Sequence, residues 1–252
     1  MGNNEAKGRR VVFFSVDNWQ LNKNLPYGEE VIDFVWYMGL NWKQKQKSSI
    51  SLRSAVNEIY PSKKVLEIST KSDNFDFATK LSAFNLTVDG IVIENAFQSS
   101  KQFGNNKEKV QGILNLSPVE AKRRIRMEKS ALTGFEYAGK EWPLEPKSMF
   151  YDSLYLKALV QNQDLSEQLL EYDTFTDIEF NQKIAYDKVK GPFNTQARSA
   201  AIFVSLRRAG ITNSEILFFV NNPLLMPQLY GSILEAEHDK FKHYQQKQQS
   251  LF

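Results

Sequence analysis

The stretch LSAFNLTVDGIVIENAFQSSKQF, from Leu81 to Phe103, contains the most informative local signals in the chain. Two apolar runs flank the dipeptide Asp89-Gly90, and Asp-Gly readily adopts the positive φ angles of a tight turn. These residues predict a β-hairpin. From Glu94 onward the apolar spacing becomes helical, so a helix reaching Phe103 is expected to follow the hairpin directly. The stretch therefore predicts a fold that combines strands with helices.

Outside this stretch, short apolar runs predict further strands, and capping residues or helical spacing predict further helices. The predicted strands are Val11–Phe14, Phe34–Met38, Val65–Ile68, a hairpin within Gly134–Leu144, and Phe175–Phe180. The predicted helices are Ser48–Tyr60, one capped by Ser117 and reaching Met127, Pro146–Leu159, one capped by Asp164, and one capped by Asn194 and reaching Ala209. The polar stretch Ser69–Lys80 is expected to be a loop.

The order of these elements indicates the fold class. Strands and helices do not alternate as regular βαβ units and helices predominate, so the pattern predicts a mainly helical α+β fold with a few short strands. No segment has the composition of a linker, so one domain over residues 1–252 is expected. Its core is predicted at about residues 33–210, with residues 211–252 as a helical C-terminal extension.

The composition excludes several classes of protein. The chain has 32 Lys and Arg, 29 Asp and Glu, and no cysteine. Disulfides and thiolate zinc sites are thereby excluded. No apolar run reaches the roughly 18 residues that span a bilayer, and the polar N-terminus lacks the apolar stretch of a secretion signal. A cytoplasmic protein without a membrane partner is expected.

The residue types that remain narrow the possible chemistry. The two histidines, His238 and His243, are five positions apart, whereas helical metal-ligand pairs need three or four. The phosphate-binding patterns GxxxxGK[ST] and GxGxxG are both absent from the sequence. No metal and no cofactor are therefore expected, and histidine-activated nucleophiles are disfavoured. Carboxylates and lysines are left as candidate catalytic groups.

Glu94, Phe97, Gln98 and Lys101 share one face of the helix that is predicted after the hairpin. On that face a carboxylate, an amide and an ammonium group would lie beside an aromatic ring. The alternative is purely structural, with Glu94 complementing the helix dipole, Phe97 in the core and Lys101 in solvent. Periodicity alone favours the structural alternative.

Several motifs, taken together and in this order, resemble the NADAR family, and in particular the NADAR antitoxins that accompany DarT toxins. They are QKQKS (44–48), LEISTKS (66–72), LSAFNL (81–86), ENAFQSSKQF (94–103), SPVEAKR (117–123), EWPLEPK (141–147), FYDSLYLKAL (150–159), FTDIEFN (175–181) and NTQARSAAIFV (194–204). The resemblance extends over roughly residues 35–208.

The resemblance implies a fold, an activity and partners. NADAR proteins, a YbiA-like superfamily, are N-glycosidases with a mainly helical α+β domain. DarT toxins of this class attach ADP-ribose to guanine in DNA, and the partner NADAR protein removes it. The implied substrate is ADP-ribosylated DNA, the implied partner a cognate DarT-type toxin, and the implied setting the cytoplasm of a bacterium or of a phage-infected cell. The alternatives are an N-glycosidase of a small ribosylated metabolite, a non-catalytic module that binds ADP-ribose or DNA, and a scaffold for a toxin.

The resemblance also implies catalytic residues. Glu94 matches the acidic residue of the family's helix motif, and Asp177 lies near a second acidic position. Breaking a ribose C1–N bond builds positive charge on the sugar, which a carboxylate stabilises or uses to activate water. Alternatively, a lysine amine attacks C1 and opens the sugar as a Schiff base. The lysines within the motifs are Lys45, Lys47 and Lys71, of which Lys45 is preferred for this role.

The remaining motif residues suit substrate binding. The candidates are Lys47, Ser69, Lys71, Ser72 and Lys101 as donors to phosphates, Phe84, Phe97 and Trp142 for stacking on a base, and Asn85, Gln98 and Asn194 as polar contacts. Arg123 and Arg124 are candidates for contacts with DNA phosphates. For the rings the alternative is core packing, and for the cations it is a solvated surface.

Three parts of the chain depart from the family pattern. A glycine-rich, GGGPY-like loop of DarT-associated members is replaced here by Gly104–Lys109, so its substrate contacts cannot be carried over. The stretch between Asn181 and Asn194 and the residues after Gly210 also differ from a compact antitoxin.

Overall fold

The computed structural model describes residues 5–39, 41–146, 148–180, 183–185, 188–190 and 194–231. The helices are α1 (Trp42–Ile59), α2 (Phe75–Leu81), α3 (Ile93–Ser99), α4 (Pro118–Arg126), α5 (Met149–Gln161), α6 (Gln163–Leu169), α7 (Gln196–Arg208) and α8 (Asn213–Val220). The strands are β1 (Glu5–Phe14), β2 (Gly28–Tyr37), β3 (Val65–Glu67), β4 (Thr87–Val88), β5 (Ile91–Val92), β6 (Lys101–Phe103), β7 (Glu108–Lys109), β8 (Leu132–Tyr137), β9 (Lys140–Trp142), β10 (Thr174–Thr176), β11 (Lys183–Ala185) and β12 (Lys188–Lys190). The α+β class, with more helix than strand, is confirmed.

A mixed sheet in the order β2-β1-β10-β3 carries one part of the candidate site. β1 pairs antiparallel with both β2 and β10, whereas β10 and β3 run parallel. Because parallel strands end at the same edge of a sheet, Glu67 at the end of β3 lies in register with Thr176 at the end of β10. The acidic residue that follows, Asp177, is thereby brought close to Glu67.

The second sheet, β7-β6-β8-β9, is antiparallel and follows the stretch that opened the sequence analysis. The predicted hairpin forms as β4 and β5, with φ angles of 51° at Asp89 and 78° at Gly90. The helix that follows is shorter than predicted, because α3 ends at Ser99 and Lys101 begins strand β6. Gln102 and Phe103 pair with β8, and this pairing replaces the final helical turn.

The centre of the hydrophobic core is formed by α5 and α7. Most of the side chains on both helices are buried, so neither has a solvent-facing stripe of the kind that marks a surface helix. Tyr155, Phe150 and Phe203 are among the largest fully buried side chains. Helix α5 contacts α3, and α7 contacts β10, so these two helices pack behind the elements that carry the candidate site.

Residues on both sides of the predicted core (33–210) contribute to the same hydrophobic cluster. Phe13 and Trp19 precede it and Leu229 follows it, and all three are buried in the cluster. Trp19 donates its indole N–H to the Leu229 carbonyl oxygen at 3.1 Å. Residues 232–252, with His238 and His243, lie outside the described residues, so the predicted domain boundaries stay a prediction.

Several predicted helix ends can be compared with the structure. The capping box of Ser117 and Glu120 is present, and α7 ends before Gly210 as predicted. Two caps are wrong by one or two residues, because Thr195 rather than Asn194 caps α7 and α6 begins one residue before Asp164.

The predicted loop Ser69–Lys80 is wrong in its second half, where α2 forms. Ala78 and Leu81 are buried on one side of this helix, and Phe77 stacks on Tyr172 at 5.9 Å between ring centroids. This tertiary packing stabilises a helix of only seven residues, which is too short to be stable by itself. In the described part of the chain, no helix has the length and apolar character needed to cross a membrane.

Candidate active site

Glu94 lies in the first turn of α3 and is 5 % exposed. Its backbone N–H donates to the Ala83 carbonyl oxygen at 3.0 Å, which anchors the helix start to the turn before β4. Its Oε1 accepts a hydrogen bond from Gln98 Nε2 at 2.7 Å, one helical turn on. No described residue donates a hydrogen bond to Glu94 Oε2. This buried carboxylate is therefore held on one oxygen only.

Gln98 carries a second unsatisfied group. Its Nε2 is used by Glu94, but its Oε1 is buried and has no partner among the described residues. A buried acceptor without a donor is costly, commonly by about 1–3 kcal/mol. A hydroxyl group of a bound sugar would satisfy it.

Cations surround the Glu94 carboxylate. Lys122 Nζ lies 3.9 Å from Glu94 Oε1, and Lys101 Nζ lies 4.8 Å from the centroid of the Phe97 ring. Burial lowers the pKa of Lys101 from 10.5 to about 8; Glu94 opposes this shift, whereas Lys122 and Arg126 add to it. The Glu94 carboxylate therefore lies close to several positive charges.

A second buried carboxylate, Asp177, follows β10 and is 8 % exposed. Its Oδ1 accepts from the Glu179 backbone N–H and its Oδ2 from Thr195 Oγ1, both at 3.1 Å. Burial and the nearby Glu67 raise the pKa of Asp177 to about 7, against the opposing effect of the Thr195 hydrogen bond. Asp177 can therefore carry a proton near neutral pH.

Glu67 supports Asp177 from the end of the neighbouring strand. It is 2 % exposed and accepts hydrogen bonds from Ser69 Oγ (2.5 Å), Thr176 Oγ1 (2.6 Å) and the Ile178 backbone N–H (2.9 Å). Burial raises the pKa of Glu67, although these three hydrogen bonds lower it. With its acceptors filled, Glu67 acts on Asp177 through charge rather than as a ligand-binding group.

The two carboxylates, Glu94 and Asp177, belong to one region of the molecule. Burial raises the pKa of Tyr151 on α5 well above 10, and the charges of Glu94 and Asp177 both add to that shift. Gln196, in the first turn of α7, accepts from the Ala83 backbone N–H at 2.9 Å and donates to the Ile68 carbonyl oxygen. The turn that anchors Glu94 is thus tied to the strand that carries Glu67.

A comparison with models of protein families finds a match over residues 9–220 to the DarT1-associated NADAR antitoxins. The chain belongs to this family. The resemblance drawn from the motifs is thereby confirmed. A comparison with curated proteins finds no match.

The lysines of this NADAR antitoxin that were predicted for covalent chemistry have other contacts. Lys45 donates to both carboxylate oxygens of Glu179, at 3.0 and 3.1 Å. Lys47 is exposed and lies 5.9 Å from the Tyr37 ring centroid, and Lys71 donates to Thr70 Oγ1 at 2.6 Å. Lys45 is thereby placed beside Glu179, two residues after Asp177, and none of the three lysines forms an ion pair with Glu94 among the described residues.

Three of the polar residues predicted to bind substrate have hydrogen-bond partners within the antitoxin. Ser69 donates to Glu67, Ser72 Oγ accepts from the Asn74 backbone N–H, and Asn85 donates to the Thr79 carbonyl oxygen. Asn194 is half-buried and directly precedes the α7 cap. Of these four residues, Asn194 is the most available for a ligand.

The predicted stacking rings separate into two groups. Phe97 and Trp142 are buried in the core, where both contact Phe150. Phe84 is only half-buried, and Lys122 Nζ lies 5.6 Å from its ring centroid. Of these three rings, only Phe84 is partly exposed, and it lies close to Lys122, which also approaches Glu94.

The basic helix α4 places its cations differently. Arg123 and Arg124 are exposed, whereas Lys122 reaches Glu94 and Arg126 is close enough to lower the pKa of Lys101. Lys122 and Arg126 flank Arg123 and Arg124 in the sequence, where nothing distinguishes the four cations from one another. Tyr151 and Gln196 also gave no signal, because they contact the site only through the folded chain.

One open groove of the antitoxin lies elsewhere. It has a volume of about 630 Å³ and is lined by β1, β2 and α1, including Phe34, Val35 and Ala55. It contains none of the residues around Glu94, and its mixed apolar and acidic walls are unsuited to a pyrophosphate. The buried polar groups around Glu94 and Asp177, rather than this groove, supply groups suited to catalysis.

Proposed function

We propose that this antitoxin is an N-glycosidase that removes ADP-ribose from guanine bases of DNA and so reverses the modification made by a cognate DarT-type toxin. The observation that carries the proposal is the Glu94 carboxylate, which is buried, held by Gln98 on one oxygen only and bordered by Lys101 and Lys122. Family membership supports the antitoxin role.

The proposed reaction develops positive charge at ribose C1 as the bond to the guanine nitrogen lengthens. Glu94 is suited to stabilise this charge, because a carboxylate of low exposure interacts more strongly than one in water. It can also accept a proton from the attacking water, whose oxygen then forms the new bond to C1. Its free oxygen, Oε2, is the atom available for either task.

The departing guanine nitrogen needs a proton. Asp177, with a pKa of about 7, retains a proton at neutral pH that it can donate to this nitrogen. The catalytic water supplies one proton to Glu94 and the hydroxyl to C1. Glu94 then releases that proton to solvent and Asp177 takes one up, so both carboxyl groups return to their starting states. Two carboxyl groups with different roles are the usual arrangement for breaking glycosidic bonds.

The pyrophosphate of ADP-ribose matches the cations around the Glu94 carboxylate. Lys101, Lys122 and Arg126 border it, and one buried acid cannot neutralise three cations. Phe84, half-buried beside Lys122, offers a ring for a base, and Gln98 Oε1 offers an acceptor for a ribose hydroxyl. Arg123 and Arg124 extend the positive surface towards DNA phosphates.

A covalent route is better served by Lys101 than by Lys45. An amine must lose its proton before it can attack C1, and the Lys45 amine is engaged by both carboxylate oxygens of Glu179. Lys101 has a pKa of about 8 and lies near Glu94. In this route Lys101 Nζ bonds to C1, the guanine leaves with a proton, and water later hydrolyses the imine.

The function is tested by incubating the native protein with a guanine-ADP-ribosylated oligonucleotide and detecting both products by mass spectrometry. We expect free ADP-ribose and an oligonucleotide restored to its unmodified mass, with release slowed by about a hundredfold or more in Glu94→Gln. Absence of release by the folded native protein would overturn the proposal.

Borohydride added during turnover distinguishes the two routes. A trapped adduct that disappears in Lys101→Met but persists in Lys45→Met would support the covalent route through Lys101. No adduct with any variant, while release continues, would leave water activation by Glu94.

A further inference from the structure

An aromatic pair on the Asp177 side of the site is not used by the proposed chemistry. Trp42, at the start of α1, and Phe75, at the start of α2, are 42 % and 46 % exposed. Their ring centroids are 6.4 Å apart, at an interplanar angle of 72°. Large exposed rings are uncommon, because burial of such side chains stabilises a fold. We call these two residues the aromatic platform.

The aromatic platform is held in place rather than loosely exposed. The indole N–H of Trp42 donates to the Thr70 carbonyl oxygen at 2.9 Å. Thr70 directly follows Ser69, whose hydroxyl group donates to Glu67. The platform is therefore fixed to the same loop whose Ser69 donates to Glu67, while both residues stay partly exposed.

Lysines without carboxylate partners lie next to the aromatic platform in the chain: Lys43 follows Trp42, and Lys71 follows Thr70, which accepts the Trp42 hydrogen bond. Within the described residues, no carboxylate pairs with Lys43, Lys47 or Lys71, whereas the acids Asp73 and Glu179 are neutralised by Arg53 and Lys45. Asp76, in the first turn of α2, is the remaining acid of this surface. Lys43 and Lys47 are one helical turn apart and so lie on the same side of α1.

Exposed rings combined with unpaired cations are the arrangement by which proteins bind single-stranded nucleic acid. The bases stack on the rings, and the lysines neutralise the phosphates. A duplex would hide its base faces from the rings. Adenosine is a poorer match for the platform. In the proposed function, the pyrophosphate to which adenosine is joined is bound by Lys101, Lys122 and Arg126 around Glu94.

We infer that the aromatic platform and its lysines bind nucleotides that flank the modified guanine, in single-stranded DNA. This inference rests on the proposed function for its substrate. Lys122 of the basic helix α4 lies 3.9 Å from Glu94, the platform is tied through Thr70 to the loop whose Ser69 donates to Glu67, and the charges of Glu94 and Asp177 both act on Tyr151. A strand that crosses the site from α4 to the platform carries its modified guanine between the two catalytic groups.

The test measures binding of an unmodified, fluorescently labelled single-stranded oligonucleotide by anisotropy, and so does not depend on catalysis. We expect Trp42→Ala to weaken binding about tenfold, because one stacked base is lost. Trp42→Phe should retain most of the affinity. The control is Phe218→Ala, since Phe218 on α8 is 62 % exposed and far in sequence from the site. Circular dichroism verifies that each variant is folded.

The lysines give a second readout. Replacing both Lys43 and Lys47 with Ala should lower the slope of log affinity against log salt by about 1.4, or about 0.7 for each phosphate contact. Replacing Lys80, which is exposed at the end of α2, with Ala should leave the slope unchanged.

Two results would overturn the inference. One is that folded Trp42→Ala binds the oligonucleotide as tightly as Phe218→Ala does. The other is that Trp42→Ala loses affinity for free ADP-ribose by the same factor, which would assign the aromatic platform to the adenosine. If the native protein releases no ADP-ribose but Trp42→Ala still weakens oligonucleotide binding selectively, the proposed function fails and the DNA-binding surface remains.

Discussion

Asp152 and Glu94 are both buried carboxylates, yet their surroundings differ. Asp152 on α5 is fully buried and accepts hydrogen bonds from Arg198 on both oxygens, at 3.1 Å each. Ser199 and Tyr230 add bonds at 2.6 and 2.8 Å. Glu94 has one hydrogen bond and a lysine at 3.9 Å. The same functional group is saturated in the core and left incomplete at the site.

The difference separates a structural charge from a functional one. Asp152 joins α5, α7 and the turn at Tyr230, so its partners are all part of the fold. The free oxygen of Glu94, by contrast, contributes nothing to folding and remains available for a ligand. A buried charge is expensive unless it is paired, so an incompletely paired one indicates a use outside stability.

The largest expected effect is a loss of free energy of unfolding when Asp152 is replaced. Asp152→Asn leaves Arg198 as a buried charge without its counter-ion, which should cost about 3–5 kcal/mol in free energy of unfolding. In a chain of this size that lowers Tm by roughly 10 °C. Thermal unfolding followed by circular dichroism measures it. Asp164→Asn, at an exposed position on α6, is the control; equal melting of the two variants would break the comparison.

Asp177 should produce the next largest effect, on the rate of ADP-ribose release. Because Asp177 acts in its protonated form, release should fall as the pH rises above about 7. Asp177→Asn should lower the rate about a hundredfold and flatten this limb of the pH profile. A pH series of single-turnover rates tests both. If the rate in Asp177→Asn still fell above about pH 7, this pH dependence would belong to another group.

The raised pKa of Asp177 also makes the free energy of unfolding depend on pH. The folded protein holds this proton more tightly than the unfolded chain, whose pKa is near 3.8. The stabilisation is therefore complete below that value and is lost as the pH rises through about 7. Denaturation across pH 4–8 should show a shallower slope in Asp177→Asn than in the native protein.

Glu94→Gln should change stability little, which is the opposite of Asp152→Asn. The substitution removes a buried charge that has only one hydrogen bond, so the free energy of unfolding should stay within about 1 kcal/mol of the native value or rise slightly. Chemical denaturation measures the change. A loss as large as that of Asp152→Asn would mean that Glu94 is a structural residue.

The smallest effect is expected from the exposed cations of α4. Arg123→Ala and Arg124→Ala should each lower the salt slope of single-stranded DNA binding by about 0.7, and neither should change the affinity for free ADP-ribose. Arg9→Ala, an exposed arginine of β1 paired with Asp33, is the matched control. Equal effects of all three substitutions would remove the assignment of α4 to DNA.

Local signals in the sequence predicted much of the fold. The Asp89-Gly90 turn and the Ser117–Glu120 capping box form as expected, because each depends on a few neighbouring residues. Helix α2 and the early end of α3 were missed. Both depend on partners distant in sequence, namely Tyr172 for α2 and strand β8 for the segment after Ser99.

The residues of the site fall into the same two groups, those that neighbouring residues predict and those that depend on partners distant in sequence. Glu94, Gln98 and Lys101 could be grouped in advance because they are close in sequence, and they remain neighbours although Lys101 is in a strand. The proximity of Asp177 to Glu67 could not be predicted, because it arises from the parallel pairing of β3 with β10. The ion pair between Lys45 and Glu179 joins residues 134 positions apart and had no local signal.

The most direct test of the account compares native protein with Glu94→Gln on one guanine-ADP-ribosylated, single-stranded oligonucleotide under single-turnover conditions. We measure affinity and the rate of ADP-ribose release in the same samples. The account predicts a rate lower by about a hundredfold or more in Glu94→Gln, with the affinity retained. Release by Glu94→Gln at the native rate would contradict it.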